Sequence, residues 1–192
     1  MSSDLLDAYG RTLAFVSARV AGTSDAQFAD PTPCSDWDVE ALLAHITTVI
    51  HHYTALASGQ AREAISFPPA LAGGAPRDVL PVLVSAALAA WAQPGALEDP
   101  CAHVMGKIPG SRALSIHVTD LLLHGWDLSV ATGQDATLDP ALAELALATL
   151  RDVLLLDDGR GRFWAPALTA HGSDVQSRLL AYSGRSWPRP AV

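Results

Sequence analysis

The chain has 192 residues, 49% of them hydrophobic and 17% charged, and its 20 acidic against 12 basic side chains leave a formal charge of −8. This composition supports one folded domain, 1–192, with a sizeable core, and it excludes intrinsic disorder. A net-negative chain gains no counterion release from a phosphate backbone or an anionic bilayer, so nucleic acid and membrane surfaces are disfavoured as partners.

Residues 1–7, Met-Ser-Ser-Asp-Leu-Leu-Asp, lack the basic and apolar regions of a signal peptide, and a cytoplasmic protein is expected. The two cysteines, Cys34 and Cys101, form no Cys-x-x-Cys pair, so neither a disulfide framework nor a thiolate zinc site is suggested. The longest weakly charged apolar run, Val79 to Ala92, is too short to cross a bilayer and contains Pro81.

Leu5, Leu6, Tyr9, Leu13, Val16 and Val20 recur at helical spacing and predict a first helix that stops near Gly22. Two prolines make residues 29–37 a loop, in which Ser35 or Asp36 is available to cap the next helix. That helix carries Val39, Leu42, Leu43, Ile46, Val49, Ile50, Tyr53 and Leu56 on one stripe, with His45 and His52 sharing a flank. No element is expected over 60–76, where Pro68-Pro69, Gly73-Gly74 and Pro76 stand. A third helix is predicted from about Asp78 to Trp91, with Pro81 accommodated only in its first turn. Residues 96–110 hold a short strand or plain loop around Ala102–Met105.

The fourth helix, about Ser111 to Thr132, organises the rest. His117, Asp120, His124 and Asp127 fall on one narrow stripe, and the remaining circumference is almost entirely apolar. A helix hydrophobic nearly all round lies deep in a protein. The stripe is therefore a thin window to solvent or the lining of an internal cleft. Asp139-Pro140 starts a fifth helix running to about Leu156, residues 157–161 break it, and 163–171 reads as extended. Ser173 or Asp174 opens a last short helix to Ser183-Gly184, and the tail 187–190 is irregular.

Asp120-x-x-x-His124 presents a carboxylate and an imidazole one turn apart, as bundle helices present metal ligands. A divalent ion needs at least a third protein ligand, and His45, on another long helix, is the best supplier. His117 is a possible fourth ligand or anion binder, although a surface or hydrogen-bonded histidine is the simpler reading. His52 stands in the same position, and Asp127 is either an acceptor that orients a ligand histidine or a surface acid. Trp37 and Trp126 read as core anchors. Cys34 lies near a helix N-terminus, which favours a reactive thiol, against the commoner inert one.

Three blocks, Pro31–His45, Asp120–Gly133 and Arg178–Arg185, together resemble the actinobacterial branch of the DinB-like superfamily related to the N-terminal domain of mycothiol-dependent maleylpyruvate isomerase. The resemblance implies an all-α, DinB-like four-helix bundle with a short C-terminal appendage, about 160–192. It also implies a metal held by His45, Asp120 and His124, with zinc the first expectation and nickel or manganese alternatives. Two positions depart from the pattern: the carboxylate is usually glutamate where Asp120 stands, and His117 replaces a frequent arginine. The last thirty or so residues can form at most a small cap, so a substrate other than maleylpyruvate is expected. A homodimer is a separate expectation, and the resemblance implies a metal- and mycothiol-dependent transferase or isomerase acting on a small electrophile. Its alternatives are a non-catalytic helical bundle, serving as small-ligand binder or dimerisation module, or a bundle with a structural metal closed by His52 or His117.

Overall fold

A computed structural model describes residues 2–35, 37–60, 65, 74–156 and 166–186. Among them six α-helices form: α1 (Ser2–Ala21), α2 (Val39–Ala57), α3 (Pro76–Trp91), α4 (Gly110–Ala131), α5 (Pro140–Leu156) and α6 (Val175–Tyr182). Strands β1 (Pro100–His103) and β2 (Gly106–Pro109) pair antiparallel between α3 and α4. No helix among the described residues is long and apolar enough to cross a membrane.

Helices α1, α4, α2 and α3 pack in that order around a ring, each against the next. Tyr9, Leu13 and Val16 of α1, Leu42, Ile46 and Ile50 of α2, Leu80, Leu83 and Trp91 of α3, and Leu114, Val118 and Leu121 of α4 fill the centre. Helix α4 is also buried on its far side, where Leu122, Leu123 and Trp126 meet Leu142, Ala146 and Leu150 of α5 and Leu179 of α6. Its near-continuous apolar circumference is thus explained by two cores that share one helix. Gly125 lets α4 pack tightly on α1, since a Cβ there would stand 2.5 Å from Phe15 Cε1.

Asp38 is the N-cap of α2, in extended backbone, and accepts the Ala41 N–H at 2.8 Å. The cap thus falls beyond the expected Ser35, at the residue that pairs with Pro31 in an isolated bridge, and Asp36, the other expected cap, lies outside the described residues. Asp139 caps α5 through the N–H groups of Ala141 and Leu142, and Asp174 caps α6 through that of Ser177. Helix α3 begins at Pro76, two residues earlier than expected, so Pro81 lies beyond the first turn. Its ring is on the exposed face, where water can satisfy the carbonyl that loses an intrahelical donor.

The hairpin resolves the open choice over 96–110. Its turn is Val104-Met105, and Gly106 adopts φ +100°, a left-handed conformation that side chains disfavour. Gly110 N–H and Ser111 N–H bond to the carbonyls of Asp99 and Leu97, which joins the base of the hairpin to the first turn of α4. Residues 166–171 form no strand; Leu168 N–H bonds to the Ala181 carbonyl. Most of the 60–76 stretch, the 157–161 break, residues 163–165 and the 187–190 tail lie outside the described residues.

Candidate metal centre

Asp120 and His124 of the α4 polar stripe line an open cleft of about 840 Å³, while His117 and Asp127 lie buried outside its lining. The cleft is walled by α2, α4, α5, the hairpin, the 31–37 loop and the segment after α6. At its floor His45 Nε2 lies 3.5 Å from Asp120 Oδ2, and His124 Nε2 lies 3.4 Å from Asp120 Oδ1. One ligand atom from each of these three side chains falls within 4.8 Å of the other two. His45 Nε2 and Asp120 Oδ2 are themselves buried yet have no hydrogen-bond partner, because their mutual approach is too long and poorly aligned. The two helices therefore bring together the residues that the spacing singled out.

Behind His124 stands a second layer. Its Nδ1 lies 3.0 Å from Asp127 Oδ2, one turn along α4, and Asp127 is fully buried. Arg185 grips the same carboxylate with two bonds, Nε to Oδ1 at 2.9 Å and Nη2 to Oδ2 at 2.8 Å. Burial alone would raise the Asp127 pKa, but the Arg185 charge and the bonds from His124 and Arg185 bring it down to about 2. An ionised Asp127 accepts the Nδ1 proton of His124 and so fixes the ring with Nε2 turned toward Asp120. Burial also opposes ionisation of Asp120 and His124. Their mutual attraction overrides it, holding Asp120 well below and His124 well above the ordinary values.

Cys34 joins this layer, its Sγ 3.3 Å from Asp127 Oδ2 and 3.8 Å from His124 Nδ1. Cys34, His124 and Asp127 form a second cluster with metal-ligand spacing. The loop that carries Cys34 is clamped by buried Thr32, whose hydroxyl donates to the Trp37 carbonyl at 2.8 Å and accepts from Cys34 N–H at 3.1 Å. Trp37 is half-buried and packs at the edge of the first core. Its ring leans on His45 and His124, with centroids 4.5 and 5.5 Å away, because the bridged loop lays it across the cleft. Trp126 does pack in the second core.

His117 corrects the simpler expectation of a surface or hydrogen-bonded histidine. It is fully buried, stacked on Tyr53 with ring centroids 4.2 Å apart and planes 6° from parallel, and tilted against Tyr9. Neither ring nitrogen has a hydrogen-bond partner, and burial pushes its pKa down to about 3. The side chain faces the bundle centre, one turn too deep to meet the three converging ligands. His52 lies edge-on to Tyr53 at 6.1 Å, and neither His52 nor His117 joins a ligand cluster among the described residues.

Two site residues were not legible beforehand. His103 sits in the hairpin, which had no predicted register, and its Nε2 lies 2.8 Å from the Tyr53 hydroxyl. Arg185 was visible in its sequence block, but nothing local pointed it at Asp127, 58 residues away. A buried arginine needs a carboxylate, and that was the available signal.

The architecture and this site define the class: a DinB-like helical bundle with a histidine-carboxylate cluster between two of its helices. Residues 9–129 match the profile of the mycothiol maleylpyruvate isomerase N-terminal domain, and the chain belongs to that family. Uncharacterised proteins of Mycobacterium tuberculosis, from strains CDC 1551 and H37Rv, are each 33% identical over 155 residues, covering 77% of this chain and 78% of theirs. Two crystal structures of mycothiol-dependent maleylpyruvate isomerase share the fold. The enzyme superposes with a TM-score of 0.62 at 17% identity, and a histidine-to-alanine mutant of it with 0.65 at 16%, each over 88% of this chain and 75% of that one.

Proposed function

We propose that this chain is a divalent-metal-dependent enzyme that uses a low-molecular-weight thiol, mycothiol, in a transfer or isomerisation of a small electrophile. His45, Asp120 and His124 hold the ion in this reading, zinc first and nickel or manganese as alternatives. The observation that carries it is the pair of buried, unpartnered ligand atoms, His45 Nε2 and Asp120 Oδ2, which converge with His124 Nε2 in an open cleft. Leaving such atoms unsatisfied is costly, and a cation between them satisfies all three.

A divalent ion there supplies positive charge that holds a thiol as its thiolate near neutral pH. The chain does the rest. Asp127, gripped by Arg185, keeps the His124 ring in one tautomer and one orientation. Trp37 covers the His45 and His124 rings and excludes water from that side. The remaining cleft leaves room for a thiol and a small second molecule. Family membership supports the thiol, because the family is named for a mycothiol-dependent isomerase.

A second reading has its own observation. Asp120 lies between two imidazoles at 3.4 and 3.5 Å, so protonated rings would neutralise it without an ion. The bundle would then be a non-catalytic small-ligand binder or a dimerisation module. Elemental analysis of untagged protein, wild type against His124→Ala, separates the two. Near-stoichiometric metal in the wild type and its loss in the variant support the enzyme, which should then consume thiol with a model electrophile in a chelator-sensitive way. No metal in either protein, even after reconstitution with zinc, nickel or manganese, overturns it.

A further inference from the structure

The cleft has a second polar corner, built by α2 and the hairpin. Met105 N–H donates to His103 Nδ1 at 3.2 Å, so that nitrogen carries a lone pair and the imidazole proton resides on Nε2. Nε2 lies 2.8 Å from the Tyr53 oxygen and is therefore the donor of that bond. The consequence falls on Tyr53. Its oxygen accepts, and its own O–H has no acceptor among the described residues. The ring cannot turn away, because it is 8% exposed and stacked flat on His117. Tyr53 and His103 both line the cleft that holds His45, Asp120 and His124.

We infer that Tyr53 and His103 form a ligand subsite in which the Tyr53 hydroxyl, its oxygen held by His103, donates a hydrogen bond to an sp² carbonyl oxygen of the molecule in the cleft. A neutral carbonyl fits the surroundings better than a carboxylate. Val49, Val104, Met105 and Ile116 line the cleft beside these two residues, and Arg185, the one arginine or lysine among the described lining residues, is engaged by Asp127. A carboxylate seated at this corner would exchange its hydration for a single neutral hydroxyl donor. A lone buried donor, by contrast, discriminates strongly for a partner that satisfies it.

The inference rests on the proposed function only in taking this cleft as the place of the substrate, and its test needs no turnover. The probe is acetophenone labelled with carbon-13 at the carbonyl, titrated into wild type, Tyr53→Phe and His103→Leu, each with and without chelator. In the wild type the bound carbonyl stretch should fall in frequency, with or without chelator. Tyr53→Phe should bind about tenfold more weakly and show the unshifted stretch. His103→Leu should keep the shifted stretch but broaden it, because the donor remains and its orientation is lost. Nitrogen-15 spectra should place the His103 proton on Nε2. A carbonyl shift that persists in Tyr53→Phe, a wild type with no shift or no binding, or a His103 proton on Nδ1 overturns the subsite. Failure of the metal analysis with success here would leave a carbonyl-binding cleft without metal chemistry, so the two failures are distinguishable.

Discussion

Asp127 does the most at the residue scale for an atom group that touches no substrate. One carboxylate takes two bonds from Arg185, one from His124 and one from Cys34, and each partner depends on its charge. Asp127→Asn keeps the volume but weakens the grip on the His124 tautomer. Metal affinity, measured by competition with a chromogenic chelator, should fall 10- to 100-fold while the fold persists. Arg185→Leu instead leaves a buried carboxylate uncompensated and should destabilise by about 3–5 kcal/mol in urea unfolding. His117 gives a third prediction with a definite sign. Its folded pKa, about 3, lies below the unfolded value of about 6.5, so the unfolded chain binds the extra proton. Stability is therefore lost as pH falls below about 6.5. His117→Phe, which keeps the stack on Tyr53, removes this term. Relative to wild type, the variant should gain about 2 kcal/mol between pH 7 and pH 5 in urea midpoints.

Helix termini and crossings set the next scale. The start of α4 has no side-chain cap, and its first N–H groups are satisfied by carbonyls that precede the hairpin. Gly110 permits that junction, since a Cβ there would stand 1.8 Å from the Ala96 carbonyl oxygen. Gly110→Ala should cost about 1–3 kcal/mol or more, measured by chemical denaturation, and should shift the hairpin that carries His103. Caps such as Asp139-Pro140 were legible because they act within four residues. Asp38 was not singled out, because what makes it the cap is its bridge to Pro31, a pairing with no signature in local pattern. Pro81 misplaced the start of α3 for a related reason: a proline tolerated on an exposed face looks the same in sequence as one that opens a helix.

For the whole molecule, acid is the vulnerable direction when no ion is bound. Asp127 and His117 both have depressed values, so the unfolded chain takes up more protons from each as pH falls. The His117 contribution is lost first, below about 6.5, and that of Asp127 follows as pH falls through about 2. A divalent ion that binds the folded chain alone should raise the melting temperature in a concentration-dependent way. At a hundred times its Kd the gain is about 2.7 kcal/mol, and His124→Ala should abolish it in differential scanning calorimetry.

The sequence by itself determined what is local and periodic: a mostly helical chain, the apolar circumference of α4, and the pairing of Asp120 with His124 one turn apart. It also singled out His45, because a single flank position on a regular helix follows from 100° per residue. Tertiary structure alone decided the direction in which the polar stripe faces, since that depends on two cores closing on both sides of α4. It decided that His117 is buried between tyrosines, that Trp37 covers the imidazoles and that His103 meets Tyr53. It also brought Arg185 to Asp127. Apart from Trp37 on His45, those contacts join residues tens of positions apart, and their geometry is fixed by helix packing and loop closure, which leave no period in the chain.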